Sequence, residues 1–238
     1  MPEEPVPALV WARPPRAPRR QSLTPERIVA AAIGIADTEG LEALSMRRIA
    51  TDLGSGTTSL YRQVAGRDEL LDLMVDAVRS EQPAPEATGD WRADLAGLGH
   101  RLRADLLRHP WLAGTLMARP ALGPNSVRQT DLALAAAAEL TADPTLAVTL
   151  IRALNHYVLG AVSDELAEQD TRRRTGLTLE EWRASVGPYV RTIVESGEHP
   201  HFARSVIEAE DLDADHQFAF GLDCLLDGIA ARVSTGGR

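Results

Sequence analysis

The segment "LGSGTTSLYRQV", residues 53 to 64, is polar and lies between two segments with strong helical periodicity. It contains two glycines, several small hydroxyl residues, a tyrosine and an arginine, and its apolar residues Leu60 and Val64 stand four positions apart. This spacing predicts a short helix with a narrow side facing the core. Ser55, Gly56 and Thr57 can form the turn before this helix and cap its first residues. The other side chains of so short a helix then face something other than the protein core.

The neighbouring segments complete a four-helix pattern. Thr24 is a predicted N-cap for a first helix that ends at Gly40, and Ser45 is a predicted N-cap for a short second helix that ends at Gly54. Residues 65 to 81 predict a fourth helix with apolar residues on one side. A short helix, a tight turn and a second short helix, held between two longer helices, form a helix-turn-helix. In this motif the second helix of the pair faces DNA, which explains the polarity of the opening segment.

The composition favours an all-α protein. Aromatic residues make up 4% of the chain, and alanine and leucine are abundant, which favours helices over a sheet. The 238 residues allow one or two domains with a substantial core. The single Cys224 excludes an internal disulfide framework and fits a reducing cytoplasm.

Charge is unevenly distributed along the chain. Residues 13 to 67 contain nine Arg and five acidic residues, a net charge of +4, whereas residues 83 to 238 contain 15 Arg and 22 acidic residues, a net charge of −7. A basic front on an acidic body favours a local contact with a polyanion, although such asymmetry also occurs without function.

The remainder of the chain predicts further helices. Residues 82 to 90, with two prolines and a glycine, are predicted to be a short linker. Apolar periodicity then predicts helices at about 91 to 109, 124 to 141, 144 to 168 and 211 to 233. Thr178 and Glu181 have the spacing of a capping box, and Pro188 is expected to kink or end the following helix early.

The most apolar run, residues 144 to 162, is predicted to be buried centrally or between subunits. Because Arg152, Asn155 and His156 interrupt it, it falls short of the ~18 to 20 apolar residues of a membrane span. The N-terminus also lacks the basic and then apolar pattern of a signal peptide. We therefore expect a soluble, cytoplasmic protein without a membrane partner.

Residues 23 to 78 resemble the DNA-binding domain of the TetR family of bacterial repressors. The resemblance rests on the stem "LSMRRIATDLG", on the recognition helix "SLYRQV" and on the basic residue that opens the fourth helix. The "HPWLAGTL" segment and two long helices are similar, more loosely, to the C-terminal domain of the tetracycline-repressor type. The resemblance implies an all-α protein with a three-helix helix-turn-helix DNA-binding domain and a larger helical ligand-binding and dimerisation domain. In that family the second domain dimerises through its last long helices and binds a small molecule that lowers DNA affinity.

These features give the expected domain organisation. Residues 1 to 21 are rich in proline and are expected to form a disordered arm. Residues 22 to 81 are expected to form the DNA-binding domain, and residues 90 to 236 the ligand-binding and dimerisation domain.

The expected DNA contacts lie on the second, third and fourth helices. Hydroxyl, amide and guanidinium groups of the third helix can reach base edges in the major groove, and its tyrosine can reach a phosphate. The resemblance adds an arginine on the second helix and the basic residue at the start of the fourth. The DNA-binding set is Arg47, Thr57, Thr58, Ser59, Tyr61, Arg62, Gln63 and Arg67. The alternative is that Tyr61 is a half-buried packing residue and that the other side chains form a solvated surface.

The N-terminal arm carries Arg13, Arg16, Arg19 and Arg20. These residues are expected to solubilise the chain, and the alternative is insertion into a minor groove.

A small-molecule cavity needs an apolar wall with a few orienting polar groups. The resemblance places polar residues of several C-terminal helices near the family's pocket. The expected ligand-binding set is His100, Leu102, Leu106, Met117, Asn155, His156, Trp182 and Tyr189. The alternative is that each packs or hydrogen-bonds locally, with His100 and His156 as core residues. The histidines at 100, 109, 156, 199 and 201 lack zinc-type spacing, so neither a metal nor another cofactor is expected.

Two functions remain open at this point. The first is a ligand-responsive, homodimeric transcriptional repressor that binds a palindromic operator and is released by a small molecule. Its two apolar helices, at 146 to 162 and at Phe218 to Ile229, are expected to pack against their symmetry mates. The alternative is a helical enzyme or a small-molecule-binding protein with a vestigial helix-turn-helix. No nucleophile motif or phosphate-binding loop supports an enzyme.

Overall fold

The computed structural model describes residue 11 and residues 23 to 83, 85 to 118 and 120 to 236. Within these ranges every regular element is helical, as the sequence predicts. The helices are α1 Pro25–Glu39, α2 Met46–Asp52, α3 Thr57–Tyr61, α4 Arg67–Ser80, α5 Trp91–Arg108, α6 Trp111–Ala118, α7 Pro124–Ala138, α8 Pro144–Thr175, α9 Leu179–Ser196, α10 Pro200–Glu208 and α11 Ala214–Gly236. A short 3-10 turn, Leu41–Ala43, joins α1 to the segment before α2.

The side-chain caps predicted at Thr24, Ser45 and Thr178 are confirmed, whereas the N-cap of α3 is Gly56 and has no side-chain hydrogen bond. The hydroxyl oxygens of Thr24 and Ser45 each accept a hydrogen bond from the backbone N–H three residues on, at 3.4 Å and 3.1 Å. The capping box before α9 is complete, since Thr178 Oγ1 accepts from Glu181 N at 3.1 Å and Glu181 Oε2 accepts from Thr178 N at 2.7 Å. Each cap satisfies backbone N–H groups that have no partner inside the helix.

Some helix boundaries differ from the prediction. The third helix was expected to reach residue 64, but it ends at Tyr61. After it, Gln63 N donates to the Leu60 carbonyl at 2.8 Å, which is the spacing of a 3-10 turn, and Val64 N donates to the same carbonyl at 2.9 Å. Pro188 was expected to kink or end its helix, but α9 does not end there and continues to Ser196. Proline removes one backbone donor. The carbonyl that this donor would have bonded belongs to Ala184, an exposed residue.

The chain forms two compact units, residues 1 to 155 and residues 156 to 238. In the first unit, α4 packs against α1, α6 and α7, and α5 packs against α6 and α7. The largest fully buried side chains of this unit include Ile28, Ile49, Leu70 and Leu106. The domain boundaries expected from the sequence remain predictions, and several polar contacts of the first unit cross the segment at 82 to 90.

In the second unit, α11 is anchored to the part of α8 that follows residue 155. Tyr157 Oη donates to the Phe218 carbonyl at 2.6 Å, and the two aromatic rings lie 5.5 Å apart. The apolar seam of α11, expected to need a symmetry mate, is largely buried within the single chain: Phe218, Leu222, Leu226 and Ile229 are at most 5% exposed. Leu225 is half-buried. The seam alone is therefore no evidence of a subunit interface.

Helix α8 is longer than predicted. By length and composition, its residues Pro144–Ala167 could cross a membrane, although the sequence analysis judged the shorter run 144 to 162 insufficient. An apolar helix of a helical core or of a subunit interface has the same length and composition.

Candidate nucleic-acid interface

The two short helices α2 and α3 and the turn between them form the expected helix-turn-helix. The turn is closed by a hydrogen bond from Ser55 N to the Ala50 carbonyl at 2.9 Å, and Gly54 has a φ of +59°, which glycine adopts without strain. Leu60 and Val64 are fully buried, as the sequence predicts for the core side of this segment. Two buried side chains therefore fix α3 while its other side stays at the surface.

The predicted DNA-binding side chains lie at that surface. Tyr61 is 54% exposed, so its ring is half-buried and part of it is accessible from outside. The full set divides into exposed Arg47, Thr57, Thr58, Tyr61, Arg62 and Arg67 and partly exposed Ser59 and Gln63. These groups comprise hydroxyl, amide and guanidinium donors, which suit phosphate oxygens and base edges.

The adjacent arginines of α2 differ in their surroundings. Arg48 bonds Glu39 at 2.6 Å and Asp52 at 3.4 Å. The hydrogen bond from Arg48 holds the pKa of the Glu39 carboxyl below its ordinary value, and the same bond raises the pKa of Arg48. Arg47 is exposed, and no described carboxylate pairs with it. Arg47 is thus placed to meet an external anion, whereas Arg48 is neutralised within the protein.

Arg67 has a structural role that the sequence did not suggest. Its guanidinium Nη1 donates to the Leu44 carbonyl at 2.6 Å, and Nη2 donates to the Leu41 carbonyl at 2.9 Å. These bonds tie the first residue of α4 to the segment that precedes α2. In this arrangement Arg67 fixes the position of the helix-turn-helix against α4.

Further along α4, the buried Asp76 caps the N-terminus of α7. Its Oδ1 accepts hydrogen bonds from the backbone N–H groups of Asn125 and Ser126 at 2.9 Å and 3.0 Å, and its Oδ2 accepts from Asn125 Nδ2 at 2.8 Å. Gly123 leaves room for this approach, because a Cβ there would lie 2.2 Å from Asp76 Oδ1. A carboxylate at a helix N-terminus is favoured by the helix dipole.

The last turn of α4 is also held by α5. Arg79 Nη1 donates to Asp105 Oδ2 at 3.3 Å, and burial raises the pKa of the Asp105 carboxyl and lowers that of Arg79. Arg101 donates to the carbonyls of Arg79, Gln82 and Pro83, where α4 ends. We call these contacts, together with Asp76 and its partners on α7, the α4 joint.

The sequence analysis missed the α4 joint. The sequence "GPN" at 123 to 125 indicates a helix start, but nothing local identifies Asp76, about fifty positions earlier, as its cap. The four arginines of the N-terminal arm, at 13, 16, 19 and 20, lie outside the described residues.

The predicted ligand-binding residues are divided between the two units. In the first unit, Leu102 and Leu106 are buried on α5, and His100, Met117 and Asn155 are exposed. In the second unit, His156, Trp182 and Tyr189 are exposed. The alternative of His100 and His156 as core residues is therefore wrong. The described residues contain no group of three or more His, Cys, Asp or Glu placed to hold a metal ion.

Comparison with known proteins agrees with this architecture. The family model "Tetracyclin repressor-like, C-terminal domain" matches residues 82–233. The HTH-type transcriptional repressor DrrR1 of Streptomyces coeruleorubidus is 45% identical over 95% of this chain and 85% of its own. The tetracycline repressor protein class A from transposon 1721 of Escherichia coli is 26% identical over 88% of this chain and 92% of its own.

Solved structures show the same likeness. Apo ActR from Streptomyces coelicolor is 29% identical with a TM-score of 0.76, and the match covers 92% of this chain and 100% of ActR. ActR in complex with actinorhodin is 30% identical with a TM-score of 0.71 over 89% of this chain and 97% of that one. Three observations agree. Buried Leu60 and Val64 support a helix-turn-helix, the family model matches the helices that follow it, and a known repressor is similar along nearly the whole chain. The protein belongs to the TetR family of ligand-responsive helix-turn-helix transcriptional regulators.

Proposed function

We propose that this regulator is a repressor that binds a palindromic operator as a homodimer and leaves it when a small molecule binds. The observation that carries the DNA-binding part is the exposed row of Arg47, Tyr61 and Arg62 beside the two buried anchors of α3. We also propose that it acts in the cytoplasm and has no catalytic activity.

The operator is tested by footprinting the purified protein on DNA flanking its own gene. Arg47→Ala should then weaken binding by about 1 to 3 kcal/mol, or about 5- to 150-fold, because a charged contact to DNA is lost. Arg48→Ala is the matched control: its guanidinium is already paired with Glu39 and Asp52, so operator affinity should change little. Equal affinities for wild type and Arg47→Ala would refute this placement of the DNA-binding surface.

The dimer proposal is supported by exposed faces of the second unit. Phe220 is 70% exposed on α11, and the same face continues through Cys224 and Gly228. On α8, His156 and Gly160 are exposed. Small residues let helices approach closely, so these faces suit a four-helix contact between two copies of the chain. Two recognition helices would then meet successive major grooves about 34 to 36 Å apart. Light scattering should give twice the 25.7 kDa of the chain, and a monomer at micromolar concentration would refute the dimer.

The effector proposal is supported by the ActR structures, which hold actinorhodin in one case and (S)-DNPA in another. The residues that we propose to contact the effector are His100, Leu102, Leu106, Met117, Asn155, His156, Trp182 and Tyr189. A thermal-shift screen with apolar and aromatic compounds, including actinorhodin, should give hits that also lower operator affinity. Asn155→Ala and His156→Ala should weaken those hits. Hits that stabilise the protein without changing DNA affinity would contradict the release mechanism, and hits unaffected by either variant would contradict the residue assignment.

A further inference from the structure

His109, at the boundary between α5 and α6, lies between two carboxylates. Its Nδ1 is 2.8 Å from Oδ1 of Asp37, near the end of α1, and its Nε2 is 3.2 Å from Oε2 of Glu81, directly after α4. The side chain of His109 is 5% exposed, so the ring is shielded from water. A single buried ring therefore joins the ends of two helices of the DNA-binding part.

We call the contacts of His109 with Asp37 and Glu81 the bridge. Ionised carboxylates only accept hydrogen bonds, so the N–H groups of the bridge must come from His109. A neutral imidazole has one N–H and donates to one carboxylate, whereas an imidazolium donates to both. Each carboxylate also has a second donor. Trp111 Nε1 donates to Asp37 Oδ1 at 2.7 Å, and Arg108 Nη1 donates to Glu81 Oε2 at 3.1 Å. His109 is the group that connects these two clusters.

The position of the bridge has a mechanical consequence. Helices α1 and α4 enclose the helix-turn-helix, and Arg67 ties the start of α4 to the segment before α2. His109 follows the last residue of α5 and precedes α6 by one residue. A displacement of the α5–α6 boundary must therefore either move the ends of α1 and α4 or break the bonds that His109, Arg108 and Trp111 make to Asp37 and Glu81.

We propose that His109 is a positioning residue that couples the helix-turn-helix to the α5–α6 boundary by holding Asp37 and Glu81 together. The coupling to DNA rests on the proposed function; the bridge itself does not. By reciprocity, a bridge that transmits displacement in one direction also transmits the effect of DNA binding in the other.

The coupling is tested by hydrogen–deuterium exchange of the full-length protein with and without footprinted operator DNA. In the wild type, DNA should slow exchange in α2 and α3 and also in residues 104 to 112. In His109→Leu and His109→Gln, the slowing in α2 and α3 should persist, and the slowing at 104 to 112 should be reduced, because only the bonds of Trp111 and Arg108 then remain. His201→Gln, which alters an exposed histidine of α10, is the control and should behave as wild type.

Equal slowing at 104 to 112 in wild type and in both His109 variants would overturn the proposal, as would an unresponsive boundary in the wild type.

A second measurement needs no DNA. Thermal midpoints of Asp37→Asn, Glu81→Gln and their double variant should be non-additive in the natural background and additive with His109→Leu. Additivity in both backgrounds would overturn the bridge. Failure of the wild type to bind any DNA would instead overturn the proposed function, and the thermal cycle would still decide whether the bridge exists.

Discussion

Replacing Gly123 by alanine should disrupt the contact between Asp76 and α7 in the α4 joint by adding a single methyl group. The backbone at Gly123 has φ −67° and ψ 157°, an extended conformation that any residue adopts, so alanine causes no backbone strain. The added Cβ would, however, lie 2.2 Å from Oδ1, 2.3 Å from Cγ and 2.6 Å from Cβ of Asp76. Such distances are far below van der Waals contact, so the buried carboxylate must move away from the N-terminus of α7.

The cost follows from what Asp76 does there. Its carboxylate accepts three hydrogen bonds from Asn125 and Ser126, at 2.8 to 3.0 Å, and replaces the side-chain cap that Gly123 itself cannot supply. Loss of an N-cap costs about 1 kcal/mol, and overpacking a buried site costs about 1 to 3 kcal/mol. Together we expect a loss of about 2 to 4 kcal/mol in the free energy of unfolding, which lowers the thermal midpoint by about 4 to 16 °C.

Thermal unfolding followed by circular dichroism measures this effect. Gly97→Ala on α5 is the matched control, because a Cβ there meets nothing within 4 Å, and the change should stabilise the helix by about 0.5 to 1 kcal/mol. In an Asp76→Ala background, Gly123→Ala should cost almost nothing, because the clashing carboxylate is gone. The explanation through Asp76 is refuted if Gly123→Ala has the thermal midpoint of the wild type. It is also refuted if Gly123→Ala lowers the free energy of unfolding equally in the wild-type and Asp76→Ala backgrounds.

Three further predictions concern other contacts of the chain. Burial raises the pKa of Asp105, so the contribution of this carboxyl to stability is present at acid pH and is lost as the pH rises. The urea midpoint of Asp105→Asn should therefore match that of the wild type at acid pH, and it should equal or exceed the wild-type value at pH 7. Arg67→Lys should lower the thermal midpoint, because one ammonium cannot reproduce the two divergent bonds of the guanidinium to the carbonyls before α2, whereas an unchanged midpoint would contradict its structural role. Phe220→Arg should yield a monomer in light scattering, whereas Val127→Arg, an equivalent change at an exposed position of α7, should remain dimeric; a dimeric Phe220→Arg would contradict the proposed interface.

The features predicted correctly from the sequence are those that depend on neighbouring residues. The caps at Thr24, Ser45 and Thr178 were found because donor and acceptor stand three positions apart. Leu60 and Val64 were assigned to the core from their helical spacing, which a single short segment contains. The exposed side of α3 follows from the same pattern.

The features that were missed depend on residues far apart in the chain. His109 meets Asp37 across 72 positions, and Arg67 meets Leu44 across 23, so no periodicity links these partners. Arg67 shows the consequence: the phosphate contact that its charge suggested stays a prediction, and nothing local indicated its bonds to two backbone carbonyls. Pro188 was expected to kink or end α9, and the helix does not end there.

The polar character of the α4 joint bears on how the protein can switch. Burying Asp76 and the Arg79–Asp105 pair has a desolvation cost that apolar side chains of similar size would avoid, so the joint is not the most stable way to attach α4. Hydrogen bonds differ from apolar contacts in direction and range, and they weaken steeply when donor and acceptor turn or separate. Apolar surfaces can slide over one another with their contact area preserved. If α7 moved along α4, however, the three hydrogen bonds from Asn125 and Ser126 to Asp76 would break. A displaced α7 must therefore either carry α4 with it or release it completely. Such an all-or-none contact between α4, which follows the helix-turn-helix, and the helices after it suits a regulator with two states of operator affinity.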